Sequence, residues 1–239
     1  MKNKRAEQIA QKKAHKAELK NAKHRRAAPD FQIPPPERPE RQRFLIVCEG
    51  LNTEPDYFNH LRRYFKLSAT EVIAVGGSGD TKRVVARAKS ERKKSHFDHT
   101  WVVFDKDDFP ADNFDNAIHM AENAGFGVAY SNQAFEYWLI LHFEDHQGGG
   151  MHRDLYNEKL NEYLNPYNVF YDGKGRKKIS SSFFNMLMES DEVGREKRID
   201  LAMRRAEKVH ALHKNAASPA SEESSTTVYK LVQELLKFV

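Results

Sequence analysis

Glu49 closes the apolar run Phe44-Leu45-Ile46-Val47-Cys48 and is followed by Gly50, while Asp105, Lys106, Asp107 and Asp108 close a second run, Thr100-Trp101-Val102-Val103-Phe104. In an extended chain, residues two apart point to the same side, so the Asp-x-Asp spacing aims Asp105 and Asp107 together. Three carboxylates brought to one place repel one another unless a proton or a divalent cation lies among them. Hard oxygen donors suit Mg²⁺ or Mn²⁺. The chemistry such an ion serves is phosphoryl transfer, in which it polarises the phosphate, generates hydroxide and steadies the leaving oxygen. Asp-x-Asp alone does not decide the matter, since acidic groups at strand ends also serve as caps or solvated loops. The Glu-Gly turn after the first run is what gives the pair its meaning.

For these groups to meet, the runs that carry them must lie side by side and run the same way. Continuous apolar runs of about five residues read as strands buried on both faces, as parallel strands are. Glu71–Val75 and Gly127–Ser131 extend the set to four. Between them, Tyr57, Phe58, Leu61, Tyr64 and Phe65 mark one helical face, with Asn52 or Thr53 as cap and Pro55 in the first turn. Asp80 reads as the cap of a helix bearing Val84, Val85 and Ala88, after a loop from Gly76 to Gly79. Another helix covers about 112–124, and Phe135 to Phe143 is apolar enough to be a buried one. Strands alternating with helices predict an α/β fold, a mostly parallel open sheet flanked by helices over 43–145, whose site lies outside the carboxyl ends of the strands. A helical extension packed on the core follows over 146–239, with helices near 152–164, 180–189, 195–213 and 226–238. The Ala/Ser/Glu-rich stretch 214–225 reads as a flexible loop.

Charge and composition bound the remaining possibilities. Ten Lys or Arg against Glu7 and Glu18 give residues 1–26 a net +8, and the whole chain is +5, so the other 213 residues carry −3. The basicity is therefore a tail, read as a disordered arm over 1–28 that can hold phosphate backbones by counterion release. Residues 29–42 form a proline-rich linker. A mean hydropathy of −0.77 and no apolar run near membrane length predict no membrane span, and no secretory leader pattern follows the charged start. The expected location is the cytoplasm. Cys48 is the sole cysteine and reads as a small buried hydrophobe.

The segments FLIVCEGLNTEPDYFNHL and WVVFDKDD resemble the Toprim pattern, a Glu after the first strand and Asp-x-Asp after the third, shared by type IA topoisomerases, bacterial primases and OLD-family nucleases. Together with SN-x-x-FEYWLILHF and the S-x-x-TTVYKLV segment, they more closely resemble RloB-like proteins, the AbiLii type, over about 43–239. That resemblance implies a Toprim-like fold and a metal-dependent nuclease acting on DNA or RNA in bacterial antiviral defence or restriction-linked systems, beside an ATPase partner. It implies that Glu49 is a metal ligand or general base and that Asp105 and Asp107 are metal ligands. Asp108 is read as supporting them, and Lys106 as pointing away from the metal or toward a phosphate. Glu136, at the start of the helix after strand four, can reach the same edge as a further ligand, or can simply favour that helix N-terminus.

Lys174, Lys177 and Lys178, with Arg176, cluster in a Gly-bearing loop and are candidates to clamp a nucleic-acid strand. The alternative is an ordinary solvated charge run. His142/His146 and His210/His213 have helix-face spacing but no cysteine partners, which points to packing rather than zinc. The competing function is a non-catalytic module that docks on an ATPase and binds nucleic acid through its tail. A haloacid-dehalogenase-like phosphatase would need Asp-x-Asp after the first strand, whereas here it follows the third.

Overall fold

The structure is a computed structural model that describes residues 2–25, 42–76, 81–107, 110–147, 149–191 and 193–239. The chain divides after residue 41 into two units. In the first, where charge leads to an expectation of disorder, Lys2–Arg25 form helix α1. Its Ala, Lys, Gln and Glu content is that of strong helix formers. Ile9 and Leu19 are exposed on it, in keeping with the lack of an apolar stripe.

The second unit runs β1 (Phe44–Cys48), α2 (Thr53–Tyr64), β2 (Thr70–Ala74), α3 (Thr81–Lys94), β3 (His99–Asp105), α4 (Ala111–Glu122), β4 (Gly127–Ser131), α5 (Glu136–Ile140), α6 (Tyr156–Leu164), α7 (Ser181–Met188), α8 (Arg198–Leu212) and α9 (Val228–Leu236). The four strands form one sheet in the order β2-β1-β3-β4. All pairings are parallel, with Cys48 opposite Val103 and Asp105 opposite Ser131. The chain therefore leaves β1 toward β2 on one side and returns to its other side as β3. That reversal opens a crevice beyond the carboxyl ends of β1 and β3, where ligands of open α/β sheets bind.

Alternation along the strands sorts the core into two layers. Phe44, Ile46, Cys48 and Val103 face α2, α5 and the later helices α6 to α9, in one continuous apolar cluster. Leu45, Val47, Val102 and Phe104 face α3 and α4. The helices after residue 145 thus complete, with α2 and α5, the helical layer on one face of the sheet.

Two local expectations change. Asn52 and Thr53 make no side-chain cap on α2; Thr53 turns instead to the Tyr171 hydroxyl and the Lys177 carbonyl. Nor is 214–225 a loose loop throughout. Ser224 to Thr227 are buried and lie along the outer edge of β4, Thr226 bridging antiparallel to Ser131 while Tyr130 N–H donates to Thr227 Oγ1 at 2.9 Å. Short hydroxyl side chains supply the donors and acceptors that an edge strand otherwise offers to water. Asp80 and Gly77 to Gly79 lie outside the described residues. No helix among the described residues is long and apolar enough to cross a membrane.

Candidate active site

The crevice at the strand ends is a cavity of about 280 Å³ lined by Glu49, Glu54, Asp105, Asp107 and Glu136, with Arg153 and Lys177 as its cations. Strand register explains the placements of Glu49 and Asp105. Glu49 continues β1, its N–H bonded to the Val103 carbonyl at 2.9 Å, and its Oε2 accepts from the Asp105 N–H at 3.4 Å. Asp107 turns with φ +32° and Lys177 with φ +51°. Non-glycine residues held in this region mark backbone that the surroundings over-determine, often at functional sites.

Three of these carboxylates have holders of their own. Gly50 N–H donates to Glu54 Oε1 at 3.1 Å, an approach that requires glycine, since a Cβ there would overlap the Glu54 carboxyl. The Tyr171 hydroxyl donates to Glu136 Oε1 at 2.6 Å. Asp107 pairs with the Arg153 guanidinium. Among the described residues, Asp105 Oδ1 is a buried oxygen without a hydrogen-bond partner.

The electrostatics follow from burying this many acids together. Burial foremost, then the Glu136 charge, pushes Glu54 up to about 7, with the Gly50 bond and Lys177 pulling the other way. Asp105 is raised well above the ordinary carboxylate value by burial and then by Glu54, Glu136 and Glu49. The Cys48 thiol, behind them, is raised first by burial and then by Glu54 and Asp105, which makes it a poor nucleophile.

An all-carboxylate donor set and an unpartnered Asp105 oxygen fit a hard divalent cation in chemical type. With the side chains engaged as described, no group of three or more His, Cys, Asp or Glu among the described residues is arranged to hold a metal ion. The candidate ligands share the cavity, but Asp107 is drawn to Arg153 and Glu136 to Tyr171.

The sequence-derived candidates Glu49, Asp105, Asp107 and Glu136 all line the cavity, as does Lys177. Lys174 lines an adjoining one; Lys178 is exposed and lines neither. Asp108 lies outside the described residues. Lys106 Nζ donates to the Asp107 carbonyl at 3.1 Å. His142 is buried, held well below its ordinary pKa at about 3 chiefly by burial, and packs against Trp138. Sequence reasoning missed Glu54, Arg153 and Tyr171. Glu54 sits in the Thr-Glu-Pro that follows the Glu-Gly turn, and its closeness to that turn is the signal that could have found it.

The family model described as RloB-like protein matches residues 44–235. Comparison with curated proteins and with solved structures finds no match.

Proposed function

The chain belongs to the RloB-like family, and from that premise we propose that the acidic cavity hydrolyses phosphodiester bonds of DNA or RNA with Mg²⁺ or Mn²⁺. The observation that carries this reading is the gathering of Glu49, Glu54, Asp105, Asp107 and Glu136 in one cavity beside Arg153 and Lys177 at the ends of β1 and β3. A pocket with that surplus of buried acid repels a nucleic-acid strand until its charge is offset.

Asp105, Asp107 and Glu136 would hold the cation, with Glu54 beside them. When bound, it would polarise the scissile phosphate and offset the charge of the incoming strand. Glu49, only half-buried, takes the proton of the attacking water as general base. Lys177 faces the phosphate oxygens on which charge develops, where a fixed cation lowers the barrier. Tyr171 keeps Glu136 oriented through its hydroxyl, and Lys174 and Lys178 attract the strand from the loop. Such an effector would work in the cytoplasm in bacterial defence, with an ATPase partner restraining or releasing it.

The test is cleavage of labelled single- and double-stranded DNA and RNA by the purified chain with Mn²⁺ or Mg²⁺, alone and with an ATPase encoded beside it. Glu49→Gln and Asp105→Asn should lower the rate at least about 100-fold with the fold intact by circular dichroism. Cleavage retained in Glu49→Gln rejects the assignment. Salt-sensitive strand binding that vanishes on removing residues 1–40, with no cleavage under any condition, would favour an adaptor instead.

A further inference from the structure

A second cavity of about 330 Å³ adjoins the acidic one and shares Glu136, Arg153 and Lys177 with it. Its charge balance is inverted. Arg153, Lys174 and Lys177 stand against Glu136 and Asp154. Glu136 is already engaged by Tyr171, and the Asp154 side chain is 84% exposed, so water screens it. Gly173 packs closely into the cavity wall. Asn157 Oδ1 accepts from Gly173 N–H at 2.7 Å, and a Cβ on Gly173 would stand 2.8 Å from the Tyr171 ring and 2.9 Å from Asn157.

Arg153 belongs to both cavities. Its backbone N–H and one guanidinium nitrogen each reach Gln133 at 3.4 Å, and its guanidinium also pairs with Asp107. Gln133 has φ +80°, so a third left-handed residue supports the arrangement. A guanidinium presents a planar fork that suits carboxylate and phosphate alike.

We propose that this second cavity seats a nucleotide phosphate next to the scissile one, and that Arg153 exchanges Asp107 for that phosphate. The inference rests on the phosphodiester reading above. It adds an order to it: the strand takes Arg153, and Asp107 then becomes available to the cation. By linkage, strand and cation each raise the other's affinity by the same factor.

Calorimetric titration of the full chain with Mn²⁺, with and without a single-stranded phosphorothioate oligonucleotide, tests the exchange. The oligonucleotide should tighten Mn²⁺ binding by about tenfold. Arg153→Gln should bind Mn²⁺ tighter than the parent chain without the strand, show clearly less further tightening with it than the parent does, and bind the strand about tenfold more weakly. Lys174→Gln, an exposed change that leaves the fold alone, should weaken strand binding and reduce its salt dependence by about one counterion, with Mn²⁺ affinity alone unchanged. A nucleoside 5′-monophosphate that tightens Mn²⁺ as fully as the strand assigns the seat to a terminal phosphate; tightening by the strand alone assigns it to an internal one. Unchanged strand and Mn²⁺ affinities in both variants, with cleavage still abolished by Glu49→Gln, overturn the subsite and leave the hydrolytic reading standing. Weakened strand binding in both variants of a chain that neither binds Mn²⁺ nor cleaves keeps the phosphate seat and removes the hydrolytic reading.

Discussion

The Tyr171 hydroxyl lies 2.6 Å from Glu136 Oε1 and 3.0 Å from Thr53 Oγ1, linking the loop before α7 to the first residues of α5 and α2. Both Tyr171 and Glu136 are buried. Tyr171→Phe leaves a buried carboxylate without its donor and should cost about 1–3 kcal/mol by urea unfolding. Crossing it with Glu136→Gln should reveal a coupling of at least about 1 kcal/mol. Additive effects would mean that the hydroxyl does not hold Glu136.

Glu54 ionises near 4.5 in a solvated chain and near 7 in the fold. Between those values the folded state binds more protons, so the contribution of this group is fully present at low pH and is lost as pH rises through 7. At pH 8 with chelator present, Glu54→Gln should therefore be more stable than the parent, by on the order of 1–3 kcal/mol. At pH 4 the advantage should vanish. Mn²⁺ should raise the melting temperature of the parent more than that of the variant. A variant destabilised at pH 8 would show that the carboxylate is favourably placed without any cation.

His142 gives the opposite sign in a different window. Burial foremost, with the charges of Arg205 and Arg198 adding, holds it at about 3, against 6.5 when solvated. Between those values the unfolded chain binds the extra proton, so stability falls as pH drops below 6.5. His142→Gln keeps an amide donor for the Trp138 carbonyl, which Nδ1 meets at 3.0 Å, and does not titrate. Its unfolding free energy relative to the parent should improve on acidification from pH 6.5 toward 4, by up to about 1.4 kcal/mol per pH unit. A flat difference across that range would show that His142 charges without penalty.

The strands and their terminal acids were legible because a five-residue apolar run closed by Glu or Asp carries both its own secondary structure and the direction of the group at its end. Glu49 and Asp105 are placed by that logic, and Glu136 by its position at the start of the helix that follows β4. Glu54 was hidden because an acid in the first turn of a helix already has a local explanation in the helix dipole. Arg153 and Tyr171 were hidden for another reason: a helix near 152–164 is legible, but the turns before and after it that carry these two side chains to the cavity are not. Ser224 to Thr227 misled because composition cannot distinguish hydroxyls that face water from hydroxyls that complete the edge of a strand.

That edge carries a consequence for how the molecule is made. Thr226 and Thr227 meet β4 across 95 to 97 positions of sequence, and α9 then packs on the same strand and beside Phe44, whose ring lies 5.4 Å from Phe238. Four strands can be synthesised long before the segment that seals them, and until it arrives the face holding Phe44, Ile46 and Val103 is covered only in part, by α2 and α5. With partners this distant in sequence, folding should be slower than for a locally wired chain. A fragment ending after α5 would hold every candidate carboxylate and still precipitate.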